Sequence, residues 1–232
     1  KNPIMPTINM NNSGYITGTQ IYNLGTTDTV VTVTYKAGQA GTDCTETQTV
    51  PTKTMVVFTT DAFTKSVANS TCVVGQRFIG SAQVTGNTQN QDLAVVVNQL
   101  RASNVTNGAS YDAFDPSKAN SAVYMPTIFD RNSGWYTAFN VMNIGSSTAY
   151  IKCTYANRTE FSTATLGQGK SATISQYMLF PSVNRYIGSA LCKTYTDTSY
   201  TTEDTNGKIL AVVNQLGPGG PDNLLSYDGI NP

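Results

Sequence analysis

The carboxylates and the cysteines are the side chains of this 232-residue sequence that could carry chemistry, because it contains no histidine. Without histidine, the Ser-His-Asp and Cys-His routes to an activated nucleophile are closed, as is histidine-ligated metal catalysis. A pair of carboxylates could still hydrolyse a glycoside. Acidic residues such as Glu203, Asp204 and Asp222 lie at expected turns, however, where carboxylates usually accept local hydrogen bonds. We therefore expect a protein that is not an enzyme, with no catalytic residues, metal site or cofactor.

The four cysteines are Cys44, Cys72, Cys153 and Cys192. None belongs to the closely spaced pairs that hold zinc. An even number of cysteines in a chain of this composition predicts two disulfides and an oxidising compartment. The alternative is four buried free thiols in a cytosolic protein.

The chain contains one internal repeat, whose copies are offset by 108 to 120 residues. The matching blocks occur in the same order in both copies, which excludes coincidence. They are residues 5–8 and 125–128, 12–15 and 132–135, 23–25 and 143–145, 34–35 and 154–155, 77–82 and 185–190, 96–100 and 212–216, and 110–112 and 226–228. The first copy carries twelve extra residues between its fourth and fifth blocks.

Each copy is expected to form one β-domain. The repeat places the first domain at residues 1–115, a linker at 116–122 and the second domain at 123–232. Short β-rich segments separated by Gly, Asn, Asp or Ser predict about seven strands in each domain. In the first copy they lie near residues 4–10, 16–24, 29–37, 48–60, 77–85, 93–101 and 109–114. The predicted fold is all-β, with two tandem immunoglobulin-like β-sandwich domains.

The repeat also predicts how the cysteines pair. Cys153 and Cys192 take the places of the inward-facing Val33 and Val84, as a disulfide buried across the sandwich would. Cys44 and Cys72 lie in or beside the residues that only the first copy has, where a disulfide would pin a long connection. The alternative pairs, Cys44 with Cys153 or Cys192, would cross domains.

Several polar residues are shared by the two copies and could form twin ligand sites. They are Arg77 and Arg185, Asn98-Gln99 and Asn214-Gln215, and Tyr111-Asp112 and Tyr227-Asp228. The interpretation that we favour is structural: they satisfy backbone groups at the ends of the sandwich, with the tyrosines acting as corner-type hydrogen bonders. The shared Asn and Gly of residues 23–25 and 143–145 are expected to provide positive φ angles. Exposed aromatic residues, namely Tyr15, Trp135, Tyr136 and Tyr200, could stack on sugars or cover a core edge.

The composition predicts a neutral, hydroxyl-rich surface. Only 12% of the residues are charged, against about 25% in an average soluble domain. The fourteen basic and fourteen acidic residues cancel, and no basic cluster suits nucleic acid. No apolar run reaches the ~20 residues that span a bilayer, and the start at Lys1, without Met or a hydrophobic leader, suggests cleavage. Sequons at Asn11, Asn69, Asn104 and Asn157 are candidates for covalent glycans.

The repeat resembles a known kind of module. Its blocks at residues 133–137, 143–145, 154–155, 187–190, 210–215 and 225–228 resemble tandem β-domain repeats in secreted surface proteins of filamentous green non-sulfur (Chloroflexota-type) bacteria. The resemblance covers nearly the whole chain, twice. It implies an extracellular surface or fibre protein without a defined catalytic site. The first copy departs from the pattern by having Tyr15 where the second has Trp135.

These observations predict a secreted structural protein whose main partner is itself. We expect a subunit of a self-assembling surface filament joined head to tail, and a carbohydrate-binding or adhesive surface module is the alternative. The N-terminal segment could join subunits by adding a strand to a neighbour's sheet, or it could form the first strand of its own domain. The candidate interface residues are Lys1, Asn2, Pro3, Ile4, Met5, Pro6, Thr7 and Ile8.

Overall fold

The computed structural model describes residues 2–87, 92–101, 107–176, 185–218 and 223–232. The chain is all-β, with four antiparallel sheets of four strands each. It divides into two compact units, Lys1–Ser117 and Lys118–Pro232. This division falls inside the predicted linker, residues 116–122.

In its described residues the first unit has eight strands in two sheets. The sheet orders are β1-β6-β3-β4 and β5-β2-β7-β8. The strands are β1 (Ile4–Met10), β2 (Tyr15–Asn23), β3 (Thr29–Ala40), β4 (Cys44–Val50), β5 (Met55–Phe58), β6 (Phe78–Gly86), β7 (Leu93–Arg101) and β8 (Gly108–Asp112). A short helix, α1 (Thr60–Thr64), follows β5, and a 3₁₀ turn covers Pro116–Lys118.

The second unit repeats this plan with β9 to β16. Its sheet orders are β12-β11-β14-β9 and β13-β10-β15-β16, so every strand has a counterpart in the first unit. The strands are β9 (Ala122–Asp130), β10 (Tyr136–Asn143), β11 (Ala149–Tyr155), β12 (Phe161–Leu166), β13 (Ser171–Ser175), β14 (Tyr186–Tyr195), β15 (Ile209–Leu216) and β16 (Leu224–Asp228).

Alternating side chains explain why these segments form strands. In β3, Val31, Val33 and Tyr35 are fully buried, whereas the threonines between them are half-buried. A strand points successive side chains to opposite faces, so this pattern buries one face of the sheet. The core cluster of the second unit draws on both of its sheets, with Ile151 from one and Phe139 from the other. The two sheets of that unit therefore share one core.

The number of strands in each unit and the order of neighbouring strands in each sheet differ from the prediction. The segment predicted as one strand over residues 48–60 is two strands, β4 and β5, because the chain turns between them at Pro51 and Lys53. Lys53 has a φ of 56°, and the Thr54 N–H donates to the Pro51 carbonyl at 3.2 Å.

The immunoglobulin-like form of the prediction is not confirmed. In an immunoglobulin constant-type domain the first two strands are neighbours in one sheet. Here β1 pairs with β6, and β2 lies in the other sheet. These pairings join segments far apart in the sequence, which local patterns do not specify.

Candidate functional site

The shared asparagine of the β2–β3 and β10–β11 loops holds its loop in the same way in both units. The Asn23 amide nitrogen donates to the Thr27 carbonyl at 2.8 Å and to the Val50 carbonyl at 3.0 Å, and its oxygen accepts from the Gly25 N–H at 2.9 Å. Asn143 repeats all three bonds, with partners Ser147, Leu166 and Gly145, at 2.8, 2.8 and 2.9 Å. Both asparagines are almost fully buried.

The explanation by positive φ angles is therefore wrong for these residues. Neither the asparagines nor Gly25 and Gly145 adopt positive φ. The asparagine is needed for its side-chain hydrogen bonds. At Gly145 a Cβ would also make a tight contact, 3.2 Å from the Asn143 side-chain oxygen.

The shared arginines anchor a tight turn that leads into the second strand of each unit. In the first unit Ser13 and Gly14 have φ angles of 52° and 82°, and the same values recur at Ser133 and Gly134. Two successive residues with positive φ are typical of a type I′ turn. The Arg77 Nε donates to the Asn12 side-chain oxygen at 2.9 Å, and Arg185 makes the same bond to Asn132.

The shared tyrosines near the end of each unit bond to the first strand. The Tyr111 hydroxyl donates to the Thr7 carbonyl at 2.7 Å, and the Tyr227 hydroxyl donates to the Thr127 carbonyl at 2.5 Å. Burial raises the pKa of Tyr227 to about 12, although the Thr127 N–H, which donates to the Tyr227 hydroxyl at 3.2 Å, opposes the shift. The Gln215 amide nitrogen donates to the same Thr127 carbonyl at 3.2 Å.

Asn98 and Asn214, which the two copies also share, bond to neighbouring side chains. The Asn98 amide nitrogen donates to the Gln20 side-chain oxygen, and the Asn214 side-chain oxygen accepts from the Ser226 hydroxyl. These bonds of the shared residues, to backbone or to side chains, all stay within one unit, which favours the structural interpretation over twin ligand sites.

Both predicted disulfides are present. Cys153 and Cys192 are directly opposite one another in β11 and β14, which are neighbours in one sheet. The bridge therefore links adjacent strands and does not cross the sandwich, which corrects that part of the prediction. Val33 and Val84 are opposed in the same way in β3 and β6 and are fully buried. The substitution of a valine pair by a cysteine pair is thus confirmed.

The Cys44–Cys72 disulfide pins the long connection of the first unit, as predicted. Backbone bonds continue this attachment along β4. The Thr71 N–H donates to the Thr45 carbonyl at 2.9 Å, and the Thr47 N–H donates to the Asn69 carbonyl at 3.0 Å. The connection therefore runs alongside the edge strand and covers part of it.

A buried carboxylate, which the sequence did not single out, lies beneath this connection. Glu46 is fully buried. Its Oε2 accepts from the Tyr35 hydroxyl and from the Thr59 N–H, each at 2.8 Å, and its Oε1 accepts from the Gln48 amide at 2.6 Å. Thr59 has a φ of 76°, which is strained for a β-branched residue. Burial, and then the Glu46 charge, hold the pKa of Tyr35 well above its usual value.

The second unit has a neutral version of this network. Ser162 pairs with Cys153 as Glu46 pairs with Val33, so the two polar residues are equivalent. The Tyr155 hydroxyl and the Ser162 hydroxyl lie 2.7 Å apart, and the Gln176 amide donates to Tyr155 at 3.3 Å. The carboxylate is therefore specific to the unit that has the extra connection, which it helps to hold through Thr59.

A small cleft is present in the second unit, beside the β10–β11 loop. It has a volume of about 140 Å³ and is lined by polar and small residues: Asn143, Gly145, Ser146, Ser147, Thr148, Ala149, Asp204, Asn206 and Gly207. One Asp204 carboxylate oxygen already accepts from the Asn206 N–H at 2.9 Å. Within the described ranges no three acidic or cysteine residues are grouped so that they could hold a metal ion.

Three of the four sequons lie in the described part of the chain. Asn11, Asn69 and Asn157 are exposed and have φ angles of 51°, 59° and 58°. All three are open to solvent at turns. Asn104 lies outside the described residues.

The four aromatic residues expected to be exposed are half-buried. The Arg101 guanidinium lies over the Tyr15 ring at 5.8 Å, and the Tyr200 ring packs edge-on against Tyr195 at 5.7 Å. A Cβ at Gly217 would lie 3.0 Å from the Trp135 ring. These three side chains therefore cover neighbouring parts of the molecule.

The candidate interface segment at the N-terminus forms β1 of its own unit. Ile4, Met5, Thr7 and Ile8 are buried, and β1 pairs antiparallel with β6. The Ile4 N–H also donates to the Phe114 carbonyl at 2.9 Å. Lys1 lies outside the described residues.

Among the described residues no helix is long and apolar enough to cross a bilayer. No protein-family model matches the chain, and comparison with curated proteins gives no match.

Proposed function

We propose that this protein is a secreted structural subunit that assembles head to tail into an extracellular filament. The observation that carries the proposal is the tandem of two equivalent β-units, whose shared polar residues form hydrogen bonds within their own unit. Each unit would be a β-sandwich module of the kind found in repetitive surface proteins, and the exposed sequons would carry glycans.

The disulfides support an extracellular location. Such bonds persist in oxidising compartments and are rare in the cytosol. The bridged cysteines are 28 and 39 residues apart, so by the chain-entropy model each bond contributes roughly 3.5 to 4 kcal/mol to stability. A protein exposed outside a cell gains from such cross-links.

Addition of the N-terminal strand to a neighbour is one form of the joint. Because β1 already occupies its own sheet, this joint would require exchange: β1 would leave β6 and pair with β6 of the next molecule. Exchange of an identical element between subunits is a known route to assembly. It is slowed here by the buried side chains that β1 must first withdraw.

A carbohydrate-binding surface module is the second candidate, and the cleft beside Asn143 and Asp204 is the observation that favours it. Its volume of about 140 Å³ is well below the roughly 300 to 1,000 Å³ of most small-molecule sites. A single sugar residue is the largest unit that it would enclose. We rank this function second for that reason.

Electron microscopy of the purified, disulfide-intact protein tests the filament proposal, with a glycan array in parallel. We expect filaments with a repeat of one or two β-units and no glycan binding. Protein that stays monomeric and binds a defined glycan would favour the second candidate.

A further inference from the structure

Two sheet faces expose rows of apolar side chains. The first, called face one, is the outer face of sheet β5-β2-β7-β8 in the first unit. On it Met55, Val57, Val96 and Leu100 are 50, 41, 38 and 47% exposed. Gln20 lies directly between Val57 and Val96, so the row crosses three strands.

The second, called face two, is the outer face of sheet β12-β11-β14-β9 in the second unit. Register places Phe161, Thr154, Leu191 and Tyr124 side by side across all four strands, and Ile230 bridges to Tyr124 beyond them. Phe161, Tyr124 and Ile230 are 50, 44 and 57% exposed. Ile187, further along β14, is 56% exposed.

In the second unit three outer-face positions of the equivalent sheet are buried. Val212, which matches Val96, and Leu210, which matches Ala94, are both fully buried. Met142, which matches the half-buried Tyr22, is 2% exposed.

In the first unit two positions that match face two are buried. Ile4 matches Tyr124 and is 2% exposed, and Ile79 matches Ile187 and is 7% exposed. Val96 and Ile187 are thus open to solvent at positions whose counterparts, Val212 and Ile79, are buried. Exposed apolar rows of this kind on a folded protein mark interaction sites.

We propose that face one of one molecule packs against face two of a second copy of this chain. This inference rests on the proposed filament and identifies its joint. The two faces belong to different units, so each molecule keeps one free face after the first contact and growth continues. A contact between unlike surfaces that does not close yields a filament.

The charges beside the two faces are complementary. Asp112 is exposed and lies in the row of Val96 on face one. On face two the Lys193 amine is paired with Glu203 at 2.6 Å, and the Lys152 amine beside it lies 4.6 Å from the centre of the Phe161 ring, so this group of charges is positive overall. Packing the faces brings opposite charges toward one another and disfavours contacts between two copies of the same face.

Two lysine substitutions test the joint. V96K places a charge on face one, and I187K places one on face two; both sites are exposed, so we expect both variants to fold and keep their disulfides. Each alone should raise the concentration needed for assembly by at least about tenfold, as loss of a central apolar contact does. An equimolar mixture has one intact joint and should form dimers that grow no further. The matched control is V74K, at an exposed valine of the connection before β6.

Sedimentation velocity and electron microscopy separate the outcomes. If either lysine variant still forms filaments like those of the wild type, the inference is overturned and the filament proposal stands. Dimers formed by a single variant on its own would show a joint between like faces and overturn it as well. Wild-type protein that stays monomeric at about 1 mM, a concentration that detects even weak association, would overturn both.

Discussion

Glu46 and Ser162 occupy equivalent positions but differ in charge, which makes them a matched pair at the residue scale. In E46Q an amide NH2 group, which is a donor, replaces one of the two carboxylate oxygens of Glu46. Depending on which oxygen is replaced, this donor faces either the Tyr35 hydroxyl and the Thr59 N–H, or the Gln48 amide. Leaving such buried donors unpaired costs about 1 to 3 kcal/mol. We expect E46Q to lower the free energy of unfolding by that amount in urea titrations.

The control for this prediction is S162A. It removes one neutral hydrogen bond to Tyr155 and should cost only about 0.5 to 1.5 kcal/mol. Equal losses in the two variants would show that the Glu46 charge gives the first unit no particular support.

The buried tyrosines predict a loss of stability at high pH. The folded-state pKa of Tyr227 is raised to about 12, whereas an unfolded tyrosine titrates near 10. Below pH ~10 the residue is protonated in both states and its contribution is complete. As pH rises from ~10 to ~12 the unfolded state releases a proton that the folded state keeps, so stability falls. Burial also raises the pKa of Tyr35 and Tyr155, which act in the same direction.

Ultraviolet absorbance of tyrosinate, followed together with circular dichroism, measures this effect. We expect tyrosine ionisation and unfolding to coincide, and Y227F to show a weaker fall in stability over the same pH range. Tyrosines that all titrate near pH 10 in protein that stays folded would contradict the burial argument.

At the scale of elements, the β3–β6 and β11–β14 strand pairs fill the same buried position with different residues. Val33 and Val84 fill the position that Cys153 and Cys192 fill in the second unit. The double variant C153V/C192V should therefore fold, with a stability lower by at most about 4 kcal/mol, the entropic contribution of the lost cross-link. Thermal unfolding measures the loss, and peptide mapping checks that Cys44 and Cys72 remain paired. A variant that never folds would count against the equivalence of the two strand pairs.

Sequence patterns could predict the parts of this fold that depend on local order or on the repeat. Alignment of the two copies identified the Cys153–Cys192 pair, because a valine pair stood in the same place. Alternation did not separate β4 from β5, because the apolar and threonine-rich pattern continues past Pro51. The buried Glu46 was missed because its partners come from elsewhere in the chain, Tyr35 from β3 and Thr59 from the start of α1, and no local pattern places them together. The order of the strands in each sheet could not be predicted for the same reason, because it depends on pairing between segments that are far apart in the sequence.

At the scale of the whole molecule, there are two alternative joints between subunits, and they require opposite behaviour of β1. Strand exchange requires β1 to leave β6, whereas packing of face one on face two leaves β1 in place. Ile4 and Gln83 are opposite one another in β1 and β6, and Gln83 is exposed. A disulfide between cysteines at these positions would hold the start of β1 in its own sheet, because opposed residues of antiparallel strands are close enough to be bridged.

We expect the locked variant I4C/Q83C to polymerise like the wild type. Neither face includes Ile4 or Gln83, and β1 has no need to move. The single variant Q83C, with its thiol capped, controls for the substitution itself. Filament length distributions in electron microscopy, after peptide mapping has verified the new bridge, provide the measurement. Locked protein that remains monomeric while the capped control forms filaments would show that β1 is exchanged between molecules, and the joint would then be the added strand.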